Sequence, residues 1–112
     1  MTKPTELAKS YMKSFFGNEP LENMEPLLAD NLIFDGPLHK SSSAKEYLDA
    51  LRKNPPIDVH YVLEEVYENQ NSACLVYIFS KAGIQTRMAQ IFEVEGEKIC
   101  KIKLVFDASV FR

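Results

Sequence analysis

The feature that most constrains this chain is a change of period at Ile57. From there on, apolar residues alternate in four runs: Ile57 to Glu68, Ala73 to Ser80, Thr86 to Val94 and Lys98 to Phe106. The separators Asn69-Gln70-Asn71, Ala82-Gly83 and Glu95-Gly96-Glu97 are short and rich in turn formers, so each neighbouring pair predicts an antiparallel hairpin. A meander of this kind needs cover on one face, which the residues ahead of Ile57 can supply as helices.

Pro4 can open a helix at its first turn, and Leu7, Ala8, Tyr11, Met12, Phe15 and Phe16 then recur at helical spacing until Gly17-Asn18. A second helix is expected from Leu21 to Ala29, with Met24, Leu27 and Leu28 on one side, although Pro26 has no backbone donor to give it. Leu32 to Asp35 reads as a short strand closed by Gly36-Pro37. Ser43 stands three residues before Glu46, the capping-box spacing, and introduces a third helix carrying Tyr47, Leu48 and Leu51 before Asn54-Pro55-Pro56 stops it. Helices followed by a meander predict an α+β fold, with the helices on one face of a curved antiparallel sheet.

At 112 residues the chain fits a single domain spanning 1–112. Thirteen Lys plus Arg stand against sixteen Asp plus Glu, a net charge of -3, and the basic residues are scattered, which argues against a nucleic-acid partner. Apolar stretches such as Ala73 to Phe79 are far too short for a bilayer, and the N-terminus lacks the apolar core of a secretion signal, so a cytoplasmic protein with no membrane partner is expected. Cys74 and Cys100 lie in strand-like segments without CxxC spacing and read as buried free thiols. His39 and His60 are each alone in sequence, no nucleophile elbow or glycine-rich phosphate loop is present, and neither a metal site nor a cofactor is expected.

The order helix, helix, strand, helix, four strands resembles the nuclear transport factor two-like superfamily, which includes SnoaL-like polyketide cyclases and ketosteroid isomerases. Tyr11 with Phe15-Phe16-Gly17-Asn18 is similar to its first helix, and Leu27-Leu28-Ala29-Asp30-Asn31-Leu32-Ile33-Phe34 to its second helix running into the first strand. The turn Phe34-Asp35-Gly36-Pro37 and the segment Ile91-Phe92-Glu93-Val94-Glu95-Gly96-Glu97-Lys98-Ile99 are also similar. The resemblance implies a cone-shaped sheet with three helices on its concave face and a mostly apolar cavity open at one end. It also implies a homodimer paired through the outer sheet face, for which alternation suggests Val62, Val66, Ala89 and Ile91.

Of the chemistry used by the ketosteroid isomerases, the resemblance carries over only part. Tyr11 falls on a tyrosine acid of the first helix, whereas the base position falls on Gly36 and the second acid on Gln90. Asp35 is adjacent to that base position, but strand alternation turns it away from the face that buries Phe34 unless a bulge at Gly36 re-aims it. An Asp before Gly-Pro is also ordinary turn chemistry, and this reading outweighs the catalytic one. Tyr11 fits a core ring and a pocket donor equally well. Gln90, between Met88 and Phe92 on one strand face, needs a polar partner in Tyr11, water or a ligand. On the last strand Cys100, Ile102, Leu104 and Phe106 are expected inward, while Lys101 and Lys103 face solvent. Arg87 lies opposite Gln90 in alternation and belongs on the surface, and Asp107 reads as a strand-end cap or interface residue.

Three functions fit these residues. The first is a binder of a small hydrophobic molecule with a polar end, held by Tyr11, Gln90, Met88, Phe92, Ile102, Leu104 and Phe106. The second is an isomerase, cyclase or hydrolase with Asp35 as base and Tyr11 and Gln90 as oxyanion donors. The third is a protein-interaction module whose cavity is filled by its own twelve Tyr and Phe side chains.

Overall fold

The structure, a computed structural model, describes residues 3–17 and 19–111. Helix α1 (Pro4–Phe15) starts with Pro4 inside its first turn, behind an extended Lys3, and buries Leu7, Ala8, Tyr11 and Met12 along one stripe. Gly17 follows at φ +82°, a left-handed conformation that suits a residue without Cβ. Asn18, expected to share in stopping the helix, lies outside the described residues, as do Met1 and Thr2 of the polar tail.

The helix expected from Leu21 to Ala29 is replaced by two single 3-10 turns, Leu21–Asn23 and Glu25–Leu27, with Met24 fully buried between them. Pro26 sits in the first turn of the second piece, where its missing N–H costs nothing, and the chain is already extended at Leu28. Strand β1 therefore runs over Leu28–Asp35, four residues longer at its start than expected. A two-residue strand β2 (Lys40–Ser41), which the sequence pattern did not reveal, pairs back on it with Phe34 opposite Ser41.

Helix α2 (Ala44–Lys53) bears out its cap: the Ser43 hydroxyl accepts from the Glu46 N–H at 3.1 Å, and the Glu46 carboxylate reaches back to the Ser42 N–H at 3.3 Å. The meander follows as β3 (Val59–Glu68), β4 (Ser72–Lys81), β5 (Ile84–Glu95) and β6 (Lys98–Val105). Sheet order is β2-β1-β6-β5-β4-β3. The expectation of a purely antiparallel sheet is corrected at one seam, because β1 pairs with β6 in parallel. One helix, α2, separates the β1–β2 pair from the β3–β6 meander, so β1 can enter beside the last strand without a hairpin to dictate its direction.

Two bulges move side chains between faces. Between Leu63 and Glu65 the β3–β4 register slips by one, so Val62 stands opposite outward Ile78 whereas Val66 stands opposite buried Leu75. Val66 is thereby removed from the outer patch assigned to it, since a one-residue slip reverses every later side chain. Between Glu93 and Val94 a second slip puts Ile99, fully buried, on the inner face in place of Cys100. Both thiols are free and half-buried instead of fully buried, Cys74 on the outer face opposite Ile91 and Cys100 donating to the Glu93 carbonyl at 3.4 Å. No helix among the described residues is long and apolar enough to cross a membrane.

The result is α+β: the helices and the 3-10 turns lie against the concave face of an unclosed sheet. Their shared core is Leu7, Met12, Met24, Leu28, Leu32, Leu75, Phe92, Ile99 and Ile102.

Candidate functional site

Above that core a cavity of about 700 Å³ remains open, in the range of natural small-molecule pockets. Its body is aromatic and aliphatic: Phe15 from α1, Phe34 from β1, Leu51 from α2, Phe79 from β4, Met88 from β5, and Leu104 and Phe106 at the end of β6. Phe111, in the final 3-10 turn Ala108–Phe111, stands edge-on to Phe79 and Phe106 at 5.8 and 5.5 Å.

Four buried neutral polar side chains converge, one from each of four elements. Tyr11 of α1, Tyr47 of α2, Tyr77 of β4 and Gln90 of β5 all line the cavity, yet each is no more than 3% exposed. Each is placed by its element. Tyr11 and Tyr47 lie on the apolar stripes of their helices, and Tyr77 and Gln90 occupy inward positions of adjacent strands. Aromatic packing fixes the rings, Tyr47 stacked on Phe34 at 4.7 Å and Tyr11 edge-on to Phe92 at 5.2 Å.

The hydroxyls are wired together. Tyr77 donates to Gln90 Oε1 at 2.7 Å, and the Tyr11 and Tyr47 hydroxyls bond each other. Against the larger effect of burial, the Gln90 side chain acts on Tyr11 in the opposite direction, favouring its ionised form. Either hydroxyl of the Tyr11–Tyr47 pair can be the donor. One bond between two hydroxyls uses one of their two protons, so the pair keeps the other for a further acceptor. Burial pushes the ionisation of all three phenols well above the ordinary tyrosine range, in Tyr11 and Tyr77 reinforced by neighbouring tyrosines, so they act as neutral donors and not as bases.

The remaining ionisable side chains on the cavity, His39, Lys53 and Lys81, are all exposed, at its mouth. His39 bonds Ser41 Oγ through Nε2 at 2.6 Å. No Asp or Glu lines the cavity among the described residues. Asp35, the candidate base, points to the outer side of β1 with its side chain about half exposed, ion-paired to Lys40, and that lysine holds its carboxyl below the usual carboxylate range. No bulge re-aims it inward; its neighbour Phe34 takes the inner side, as alternation dictates. Gly36 does line the cavity, where an added Cβ would stand 3.2 Å from the Phe34 ring and 3.5 Å from Leu104 Cβ.

Of the residues expected to hold a ligand, Tyr11, Gln90, Met88, Leu104 and Phe106 come together on the cavity wall. Phe92 and Ile102 do not: both are fully buried beneath it and belong to the core. Arg87 is on the outer face, bonded to Glu64 at 2.7 and 3.2 Å. Tyr47, Tyr77, His39, Lys53 and Lys81 were not singled out for the cavity. Alternation along Leu75, Tyr77, Phe79 and Lys81 carried the signal for two of them, and the α2 stripe of Tyr47, Leu48 and Leu51 for a third. No group of three or more His, Cys, Asp or Glu among the described residues is placed to hold a metal ion.

No family model matches this chain, and no curated protein matches it. Solved structures do. An NTF2-like protein of unknown function from Cytophaga hutchinsonii superposes with a TM-score of 0.84 at 19% identity, covering 100% of this chain and 97% of that one. An LEH-like epoxide hydrolase from M. tuberculosis superposes at 0.78 with 13% identity, over 92% of this chain and 81% of that one. A protein with a ketosteroid isomerase-like fold from Catenulispora acidiphila, solved in complex with trimethylamine, gives 0.77 at 16% identity, over 97% and 90%. Helices against a curved, unclosed, mixed six-stranded sheet, superposing over almost the whole chain on these proteins, give this protein the NTF2-like fold.

Proposed function

We propose that this chain is a cytoplasmic small-molecule-binding domain whose conical cavity takes a planar, mostly apolar molecule and orients its carbonyl or phenol oxygen with the Tyr11, Tyr47, Tyr77 and Gln90 cluster. The observation that carries this reading is the buried Tyr11–Tyr47 hydroxyl pair, which keeps one proton beyond its mutual bond, in a cavity whose body is aromatic and aliphatic. A buried donor without an acceptor costs on the order of 1–3 kcal/mol, so an acceptor brought in by a ligand is favoured there over an apolar group. An open volume of about 700 Å³ speaks against a cone filled by its own side chains. The SnoaL-like reading, with Asp35 as base, has no carboxylate on the cavity to support it.

Native mass spectrometry of freshly purified protein tests the proposal. The expected spectrum shows a bound mass of a few hundred daltons that collisional activation removes. A bare chain, together with no thermal shift from planar aryl ketones or phenols, would count against it.

A homodimer through the outer sheet face belongs to the same proposal. Val62, Tyr67, Val105 and Ile33 are exposed there beside half-buried Ala89 and Ile91, a patch more apolar than a solvated face needs. Light scattering after size exclusion should give twice the chain mass at micromolar concentration. A monomer would remove this part.

A further inference from the structure

We infer that the ligand is an acid: its anionic group sits at the mouth between Lys53 and Lys81, while its acceptor oxygen reaches the tyrosine cluster. This inference rests on the binding function proposed above and adds the charge and length of the molecule bound.

The charge comes from the composition of the rim. The chain as a whole carries a net charge of -3, yet every charged side chain lining this cavity is a lysine. Lys40, Lys45 and Lys103 spend their charge on carboxylates at the surface, whereas Lys53 and Lys81 carry no ion pair among the described residues. Their placement is not a matter of two long surface side chains happening to lie near an opening. Lys81 continues the inward series Ala73, Leu75, Tyr77 and Phe79 of β4, so its stem runs along the concave wall. Lys53 is the last residue of α2, the helix that also carries Tyr47. Asn54, a neutral amide on the same rim, adds polar capacity without opposing charge.

The length comes from the same two elements. Lys81 lies four residues beyond Tyr77, about 13 Å at the rise of a strand. Lys53 lies six residues beyond Tyr47, about 9 Å at the rise of a helix. A molecule that meets both ends therefore carries an oxygen acceptor and an anion separated by roughly 9–13 Å. The aromatic walls between them favour a rigid, flat body over a flexible chain.

A biphenyl bearing an acetyl group at one para end and a carboxylate at the other spans about that separation, and its primary carboxamide is a neutral copy of the same shape. Calorimetric titration at low salt should show the acid binding roughly tenfold tighter than the amide, since two partly solvated cations act on one anion. The preference should shrink as salt is added. In the double variant Lys53→Gln/Lys81→Gln the ratio of the two affinities should fall to about one. Lys98→Gln, which removes one positive charge at the exposed β5–β6 turn away from the cavity, should leave the ratio as it was. Equal binding of acid and amide to the unaltered protein, or a preference that survives the double variant, overturns the acid while leaving the binding function standing. Binding of neither compound overturns both.

Discussion

The two faces of one sheet carry opposite chemistry, often on adjacent residues. On the concave side stand neutral hydrogen-bonding groups, Tyr77 and Gln90, wired to each other and to the helices and nearly sealed from solvent. On the outer side stand charges in exposed pairs, Asp35 with Lys40, Glu64 with Arg87 and Glu93 with Lys103. Asp35 follows inward Phe34, and Arg87 precedes inward Met88. A side chain's chemistry alone does not make a site, because strand parity decides whether it meets the cavity or water. Buried neutral groups must be satisfied and are therefore held in place, whereas exposed pairs are screened and loosely held.

The largest effect expected from this contrast is on adjacent residues of β5. Phe92→Ala should cost about 3–5 kcal/mol of stability by chemical denaturation, because it opens a void under Tyr11 in the core. Ile91→Ala, one residue away and half-buried on the outer face, should cost clearly less. Comparable losses at both positions would break the distinction between the faces.

The next effect lies within the cluster. Gln90→Leu leaves the Tyr77 hydroxyl buried without its acceptor and should cost about 1–3 kcal/mol, while adding Tyr77→Phe should recover part of the loss. A stabilising Gln90→Leu single variant, which the sequence alone would allow for a polar group facing an apolar cavity, would show that the bond to Tyr77 contributes nothing.

That difference marks how much was legible. The α+β class, the α2 cap and the meander follow from periodicity and turn residues, each of which acts locally. Tyr11 and Gln90 were found as polar residues on otherwise apolar faces, but the partners that bond them, Tyr47 and Tyr77, lie 36 and 13 residues away, a separation that no local pattern encodes. The bulges that displaced Val66 and Cys100, and the parallel seam that lengthened β1, were hidden for the same reason: each is a choice of register between strands. The second helix was lost because a proline at Pro26 and a strand partner at Ile99 together outweigh an apolar spacing.

A spectroscopic contrast should follow from the raised phenol ionisations. Tyr11, Tyr47 and Tyr77 favour the protonated form in the folded state more than in the unfolded one, so their contribution to stability is complete below about pH 10 and is lost as pH rises above it. In an alkaline titration followed by phenolate absorbance, these three should ionise only together with loss of the far-ultraviolet circular dichroism signal. Ionisation of all five tyrosines while that signal persists would mean that the cluster is open to solvent.

The smallest effect is at Asp35. Its carboxyl is held low by Lys40, so any stability it contributes is present at neutral pH and is lost only as pH falls through that lowered value. At neutral pH Asp35→Asn should leave both the denaturation midpoint and ligand affinity within error. A loss of ligand affinity would return Asp35 to the site.

The central claim, that the cavity reads an oxygen acceptor through the proton kept by the Tyr11–Tyr47 pair, is tested most directly by comparing acetylbiphenyl with ethylbiphenyl, two neutral molecules of similar shape that differ in one carbonyl oxygen. The unaltered protein should bind the ketone about fivefold tighter by calorimetry, the worth of one neutral hydrogen bond, and the preference should vanish in Tyr11→Phe/Tyr47→Phe. Equal affinity for the two compounds, or a preference unchanged in Tyr11→Phe/Tyr47→Phe, would contradict the account.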